Sequence, residues 1–198
     1  MKALIVVDMI DEFVGGRLGS EKARAIVPNV AELANAFDRA GHFVVFACDA
    51  HQPGDPEMEL WGQHAIHDTP EAGLATELLV LLEPEVIENA HVHHKTEYDA
   101  FGTLVGTYED GQPRDLRHWL RGHGVDEVVV VGVATHICVA QTAIGAFQNG
   151  FRVTVPFDAV AGFADTDEHF WMVHLHQVAG AAVPPTSYVL DGLKAVAR

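Results

Sequence analysis

The sequence predicts an α/β protein, a mostly parallel sheet of about six strands with helices on both faces. Two observations carry this. Apolar runs alternate with amphipathic segments along the chain, the pattern that strand–helix–strand crossovers leave. No internal repeat, linker or low-complexity run interrupts them, and 198 residues suit one sizeable core, so residues 1–198 read as a single domain.

The elements follow in order. "ALIVVD" (3–8) reads as a strand buried on both faces. "VAELANAFDRAG" (30–41) has apolar residues at helical spacing and a glycine stop. "HFVVFACD" (42–49) is a second strand, and "EAGLATELLVLLEP" (71–84) a helix ended by Pro84. "EVIENAHVH" (85–93) is a weaker strand, "PRDLRHWLRGHG" (113–124) a helix, and "VDEVVVVGV" (125–133) the most strand-like run of all. "CVAQTAIGAFQNG" (138–150) is a helix stopped by Asn149-Gly150, and "FRVTVPFD" (151–158) a strand. "DTDEHFWMVHLHQVAG" (165–180) is a helix, and "TSYVLDG" (186–192) a short edge strand. The least regular region, 49–70, is a long loop of the kind that carries function.

Composition narrows the partners. The formal charge is −16, which repels phosphate backbones and anionic membrane surfaces, so neither nucleic acid nor a membrane is expected. The opening "MKALIVVDMID" turns acidic too soon for a signal peptide, which points to the cytoplasm. The two cysteines, Cys48 and Cys138, make no disulfide framework.

In parallel sheets, ligands gather outside the carboxyl ends of the strands. Asp8, Asp49 and Cys138 fall at such ends, and Lys95 follows the weaker strand. A thiol where a strand hands over to a helix is suited to attack a carbonyl, because the helix N-terminus favours the thiolate and its amides can receive an oxyanion. Read alone, Cys138 is equally a small residue at a crowded turn. Asp8 is a candidate base, its alternative a turn-forming aspartate. Lys95 would hold Asp8, its alternative a solvated lysine. Asp49 and His51, two apart, share one face of an extended strand, with Glu57 and His64 following. Such oxygen and imidazole donors suit zinc, iron or manganese, although this loose spacing also describes a solvated loop. Cys48, one residue before Asp49, should point into the core.

"ALIVVDMIDEF", "DAH" with its downstream "W..H...TP", "HKTEYDAF" and "GVATHICVAQTAIGAFQNGF" together resemble the isochorismatase-like cysteine hydrolases, and among them the nicotinamidase/pyrazinamidase branch. The resemblance implies a three-layer α/β/α sandwich of Rossmann-type topology. It implies a catalytic triad of Asp8, Lys95 and Cys138, and an oxyanion hole from the amides of Ala134 and Cys138 beside a cis Val133–Ala134 bond. It also implies a divalent metal, zinc first and iron or manganese as alternatives, held by Asp49, His51 and His64, with Glu57 where some members supply a fourth ligand. Phe13 and Trp61 match the aromatic residues flanking the substrate ring, with Tyr98 and Phe101 in the same pocket. The activity implied is hydrolysis of nicotinamide to nicotinate and ammonia. A related amidase for another small amide, ureide or carbamoyl compound, and a catalytically silent binding module, are the alternatives, and a homo-oligomer is compatible. Ile10 and Glu12 replace the Gln and Asp common in the family's "DMQNDF" opening, and loop 49–70 is compact for a nicotinamidase. The histidines at 67, 91, 93, 94, 169, 174 and 176 read as surface or packing residues.

Overall fold

The computed structural model describes residues 1–102 and 115–196. The elements run β1 (Lys2–Val7), α1 (Asp11–Val14), α2 (Glu21–Arg39), β2 (Phe43–Asp49), α3 (Met58–Trp61), α4 (Thr76–Leu79), α5 (Pro84–Asn89), β3 (His91–Lys95), α6 (Leu116–Gly122), β4 (Glu127–Val133), α7 (Ala140–Gln148), β5 (Arg152–Thr154), β6 (Val160–Ala161), α8 (Glu168–Ala179) and α9 (Thr186–Val196). The sheet is six-stranded in the order β3-β2-β1-β4-β5, with β6 also on β4, and each pairing is parallel.

The strands sort their side chains by alternation. Leu4 and Val6 face one helix layer with Val44, Phe46, Val129 and Val131, against α2, α4, α5 and α9. Ala3, Ile5 and Val7 face the other with Val45, Val128 and Val130, against α6, α7 and α8. Both faces are covered, which is why β1, β2 and β4 are apolar on both faces through their centres. Truncating a fully buried leucine such as Leu4 costs about 2–5 kcal/mol in such a core.

Several elements differ from expectation. Residues 186–192 form no edge strand but the start of α9. Its Leu190 and Leu193, three apart, are buried on one face, and Asp158 Oδ1 caps it from a distance, accepting from Thr186 N and Oγ1 at 2.7 Å each. The sixth strand is instead β6, in register Gly132↔Val160 with β4. Helix α2 begins at Glu21, well before residue 30, because Ser20 caps it through Ala23 N (3.0 Å) and the interior Pro28 is tolerated. The helix expected over 71–84 is a 3-10 turn (Pro70–Ala72) and the single turn α4, with Pro84 opening α5 rather than ending a helix. The strand expected over 85–93 is α5 followed by β3. Strand β5 covers only part of 151–158. Of the helix expected over 113–124, residues 113 and 114 lie outside the described residues.

Candidate active site and metal centre

Register brings the polar rim together. Asp49 at the end of β2 pairs with Lys95 at the end of β3, and Val7 of β1 pairs with Ala47. Asp8, the next residue, sits in the left-handed region (φ 52°) and turns its carboxylate under β2, where Oδ1 accepts from Asp49 N at 2.9 Å. Lys95 Nζ stands 2.9 Å from Asp8 Oδ2 and also bonds Asp49 Oδ1. All three are buried, and Lys95 has no exposed surface. Cys138 follows β4, and its Sγ and one carboxylate oxygen each of Asp8 and Asp49 lie within 4.8 Å of one another.

Cys138 lies inside a wide turn, Thr135–Val139, that precedes α7, and Val139 N reaches Ala134 O five residues back (3.2 Å). Ile137 N takes the same carbonyl at 3.0 Å. Among the described residues, the Ala134 N–H donates to no backbone carbonyl. The Val133–Ala134 bond is cis. Gly132 beside it has φ 111°, and a Cβ there would lie 2.1 Å from Val7 O, so only glycine fits against β1.

The charges differ from the reading of a helix-activated thiolate. Burial raises the Cys138 thiol well above its usual range; the Lys95 charge lowers it, but Asp8 and Asp49 add to the rise. Burial, then the charge of Asp49, lifts Asp8 to about 6 against the pull of Lys95. Burial also opposes a charged Asp49, but Lys95 and His51 hold it low. Lys95 stays protonated because Asp49 and Asp8 outweigh its burial.

Asp49, His51 and His64 form a second buried group, one donor atom from each lying within 4.8 Å of the others. His51 Nε2 is 3.6 Å from Asp49 Oδ2 and has no hydrogen-bond partner among the described residues. Its Nδ1 is 3.1 Å from Asp55 Oδ2, while His64 Nδ1 donates to Gly62 O at 2.8 Å. Each ring is therefore anchored on its outer nitrogen with Nε2 turned inward, the usual arrangement of metal-binding histidines. Glu57 Oε2 completes the ring of donors, 3.9 Å from His51 Nε2 and 4.0 Å from His64 Nε2. Burial, then the nearby Asp49 charge, pushes Glu57 up to about 7. These donors and spacings fit a divalent cation with bonds of about 2.0–2.2 Å.

Both groups open into one cleft of about 530 Å³, counting its mouth. Phe13, Trp61 and Tyr98 line it, and Trp61 Nε1 donates to Tyr98 Oη (3.3 Å). Phe101 does not line it; its ring packs on Phe151, 5.7 Å between centroids. Ile137 and Phe163 also line the cleft. Phe163 meets Trp61 edge-on at 5.6 Å, a contact between distant segments that no local pattern could show. The histidines of β3 stay outside: His91 stacks on Trp119 (4.3 Å), His93 Nε2 is bonded to Ala100 O (2.9 Å), and His94 faces His67 (3.3 Å). Cys48 is buried in the α2 layer.

Residues 2–186 match the model of the isochorismatase domain. The chain belongs to the isochorismatase family. The nicotinamidase/pyrazinamidase of Mycobacterium tuberculosis is 40% identical over 180 residues, 84% of this chain and 90% of that protein. Among solved structures of at least 25% identity, N-carbamoylsarcosine amidase from Thermoplasma acidophilum superposes with a TM-score of 0.79 at 32% identity, covering 93% of this chain and 96% of that one. The pyrazinamidase of Pyrococcus horikoshii, solved in complex with zinc, gives 0.76 at 29%, covering 93% and 98%. This isochorismatase-family hydrolase thus shares its fold with relatives named as amidases, and its own buried Asp49, His51 and His64 form a candidate metal site. Among the described residues, no helix is long and apolar enough to cross a membrane.

Proposed function

We propose that the chain is a cysteine amidohydrolase that cleaves nicotinamide to nicotinate and ammonia. The observation that carries this reading is the sharing of one aromatic cleft by the Asp8–Lys95–Cys138 cluster and the Asp49–His51–His64 group. A reducing cytoplasm suits its two free cysteines.

The roles follow from the charges. Cys138 Sγ attacks the amide carbon, and its proton passes to Asp8 as the S–C bond forms. The amides of Ala134 and Cys138 receive the oxyanion. Asp8 then protonates the amide nitrogen, ammonia leaves, and a thioester remains. Water attacks that thioester, giving its proton to Asp8; the C–S bond breaks, nicotinate departs, and the proton returns to sulfur. Lys95 keeps its charge throughout and holds the two carboxylates at their posts. Asp49, His51 and His64, with Glu57 beside them, would hold a divalent ion, zinc before iron or manganese, which would supply Lewis-acid binding for the pyridine ring. Phe13, Trp61 and Tyr98 give the ring its apolar flanks.

The likeness to N-carbamoylsarcosine amidase favours a second reading, hydrolysis of a small carbamoyl compound by the same thiol. Ammonia release decides between them. Zinc-loaded protein should release ammonia from nicotinamide, lose that activity in Cys138→Ala, and lose most of it on chelation. Release from a carbamoyl substrate but not from nicotinamide would replace the first reading with the second.

A further inference from the structure

The cleft has two walls that come from distant parts of the chain. Phe13, Leu18 and Ser20 form one, and Glu57, Trp61 and His64 the other. A single guanidinium joins them. Arg17 Nη2 donates to Gln63 O at 2.8 Å and to Trp61 O at 3.2 Å. The carbonyl between these two, Gly62 O, is the one that holds His64 Nδ1 (2.8 Å). Three successive carbonyls of the second wall are thus tied down, two by Arg17 and one by the metal-facing histidine. Behind the guanidinium stands Glu12. Its carboxylate is buried, and Oε1 has no hydrogen bond among the described residues and faces Arg17 Nη2 at 3.5 Å. The backbone of Glu12 also takes Leu18 N (3.2 Å), so the same residue braces the first wall. A buried carboxylate left without a countercharge is costly, which keeps the arginine over it even though half its own surface meets solvent. Charge-assisted donation to two carbonyls then sets where the loop lies.

We propose that Arg17, seated on Glu12, is a latch that fixes the separation of the two walls and so positions the His64 imidazole and the Trp61 ring. Arg17 is a positioning residue and touches no reacting atom. Its effect on turnover rests on the amidase reading above; its effect on the wall does not.

The test uses Trp61 as the sole indole, in a Trp119→Phe/Trp171→Phe background. Acrylamide quenching, zinc affinity by chelator competition, and KM and kcat for nicotinamide are compared for the parent, Arg17→Met, Arg17→Lys and Glu12→Gln. With Arg17→Met, Trp61 becomes more accessible to the quencher, and zinc affinity falls about tenfold, as loss of an outer support does. KM rises while kcat holds, because the thiol and its partners are untouched. Arg17→Lys, which keeps a charged donor, moves each reading back toward the parent. Glu12→Gln, which keeps the guanidinium but not its countercharge, shifts the readings in the same direction as Arg17→Met, by less. Quenching identical to the parent in a folded Arg17→Met protein overturns the latch. A parent that neither binds zinc nor hydrolyses nicotinamide overturns the amidase reading, and the quenching comparison still decides the latch.

Discussion

Replacing Asp8 by Asn should slow turnover sharply and yet help the fold, by an amount that depends on pH. Asp8 is buried beside Asp49, and its folded value is raised from 3.8 to about 6. A group raised on folding contributes stability that is fully present below its unfolded value and is lost as pH rises through its folded value. Metal-stripped wild type should therefore lose about 3 kcal/mol from Asp8 as pH rises from well below 4 to 7, the worth of that shift, most of it above pH 4. Asp8→Asn carries no such loss. Its Oδ1 can still accept from Asp49 N, although its amide meets the Lys95 ammonium less well than a carboxylate does. That misfit subtracts a constant, so the slope of the difference with pH is the sharper quantity. In a chain of this size, about 3 kcal/mol moves the melting midpoint by roughly 6–12 °C. Melting both proteins with chelator from pH 4 to pH 8 measures the gap. It should open in favour of the Asn variant as pH rises. A gap that stays constant, or closes with rising pH, would mean that Lys95 rather than burial governs Asp8, and the proton-acceptor argument would fail. In the same variant kcat should drop by about 10²–10⁴, the usual worth of a positioned acid–base.

Other perturbations bear on separate parts of the account. Lys95→Met strands two buried carboxylates and should cost about 3–5 kcal/mol in urea unfolding at neutral pH; a cost within error of zero would show the ion pairs to be idle. Gly132→Ala meets Val7 O and should leave no folded protein by circular dichroism, whereas Gly124→Ala, also at positive φ but with open space around it, should cost about 1–2 kcal/mol. Asp55→Asn, which weakens the outer anchor of His51, should lower zinc affinity by about 10–100-fold in chelator competition. His64→Ala, which removes a donor outright, should lower it further.

The sequence reveals the polar rim because strand ends mark it. An apolar run closing on Asp8 or Asp49 places that residue at the carboxyl edge wherever the strands order themselves, and Lys95 closes the weaker, histidine-rich β3. The thiol's true state is not legible that way. Helix position alone suggests an activated Cys138, but burial and two carboxylates push the thiol up, and these carboxylates come from the ends of β1 and β2, far from Cys138 in sequence. Helix α9 misleads for a related reason: "TSYVLDG" holds Tyr, Val and Thr, while its cap, Asp158, lies 28 residues upstream. Helix α2 hides behind Pro28, which reads as a breaker although Ser20 has already started the helix. Phe163 enters the cleft from the chain between β6 and α8, and only packing reveals it. Phe101 shows the converse, an aromatic within a recognisable motif whose ring turns to Phe151 instead.

The central claim is that the sulfur of Cys138 carries the acyl group between two halves of one reaction. Acid-quenched intact mass of the zinc-loaded protein during turnover of nicotinamide tests it directly. The account predicts a fraction of the chain heavier by one pyridine-3-carbonyl group, mapped to Cys138 and missing in Cys138→Ala. Unimpaired ammonia release by Cys138→Ala, with no adduct on the wild type, would contradict it.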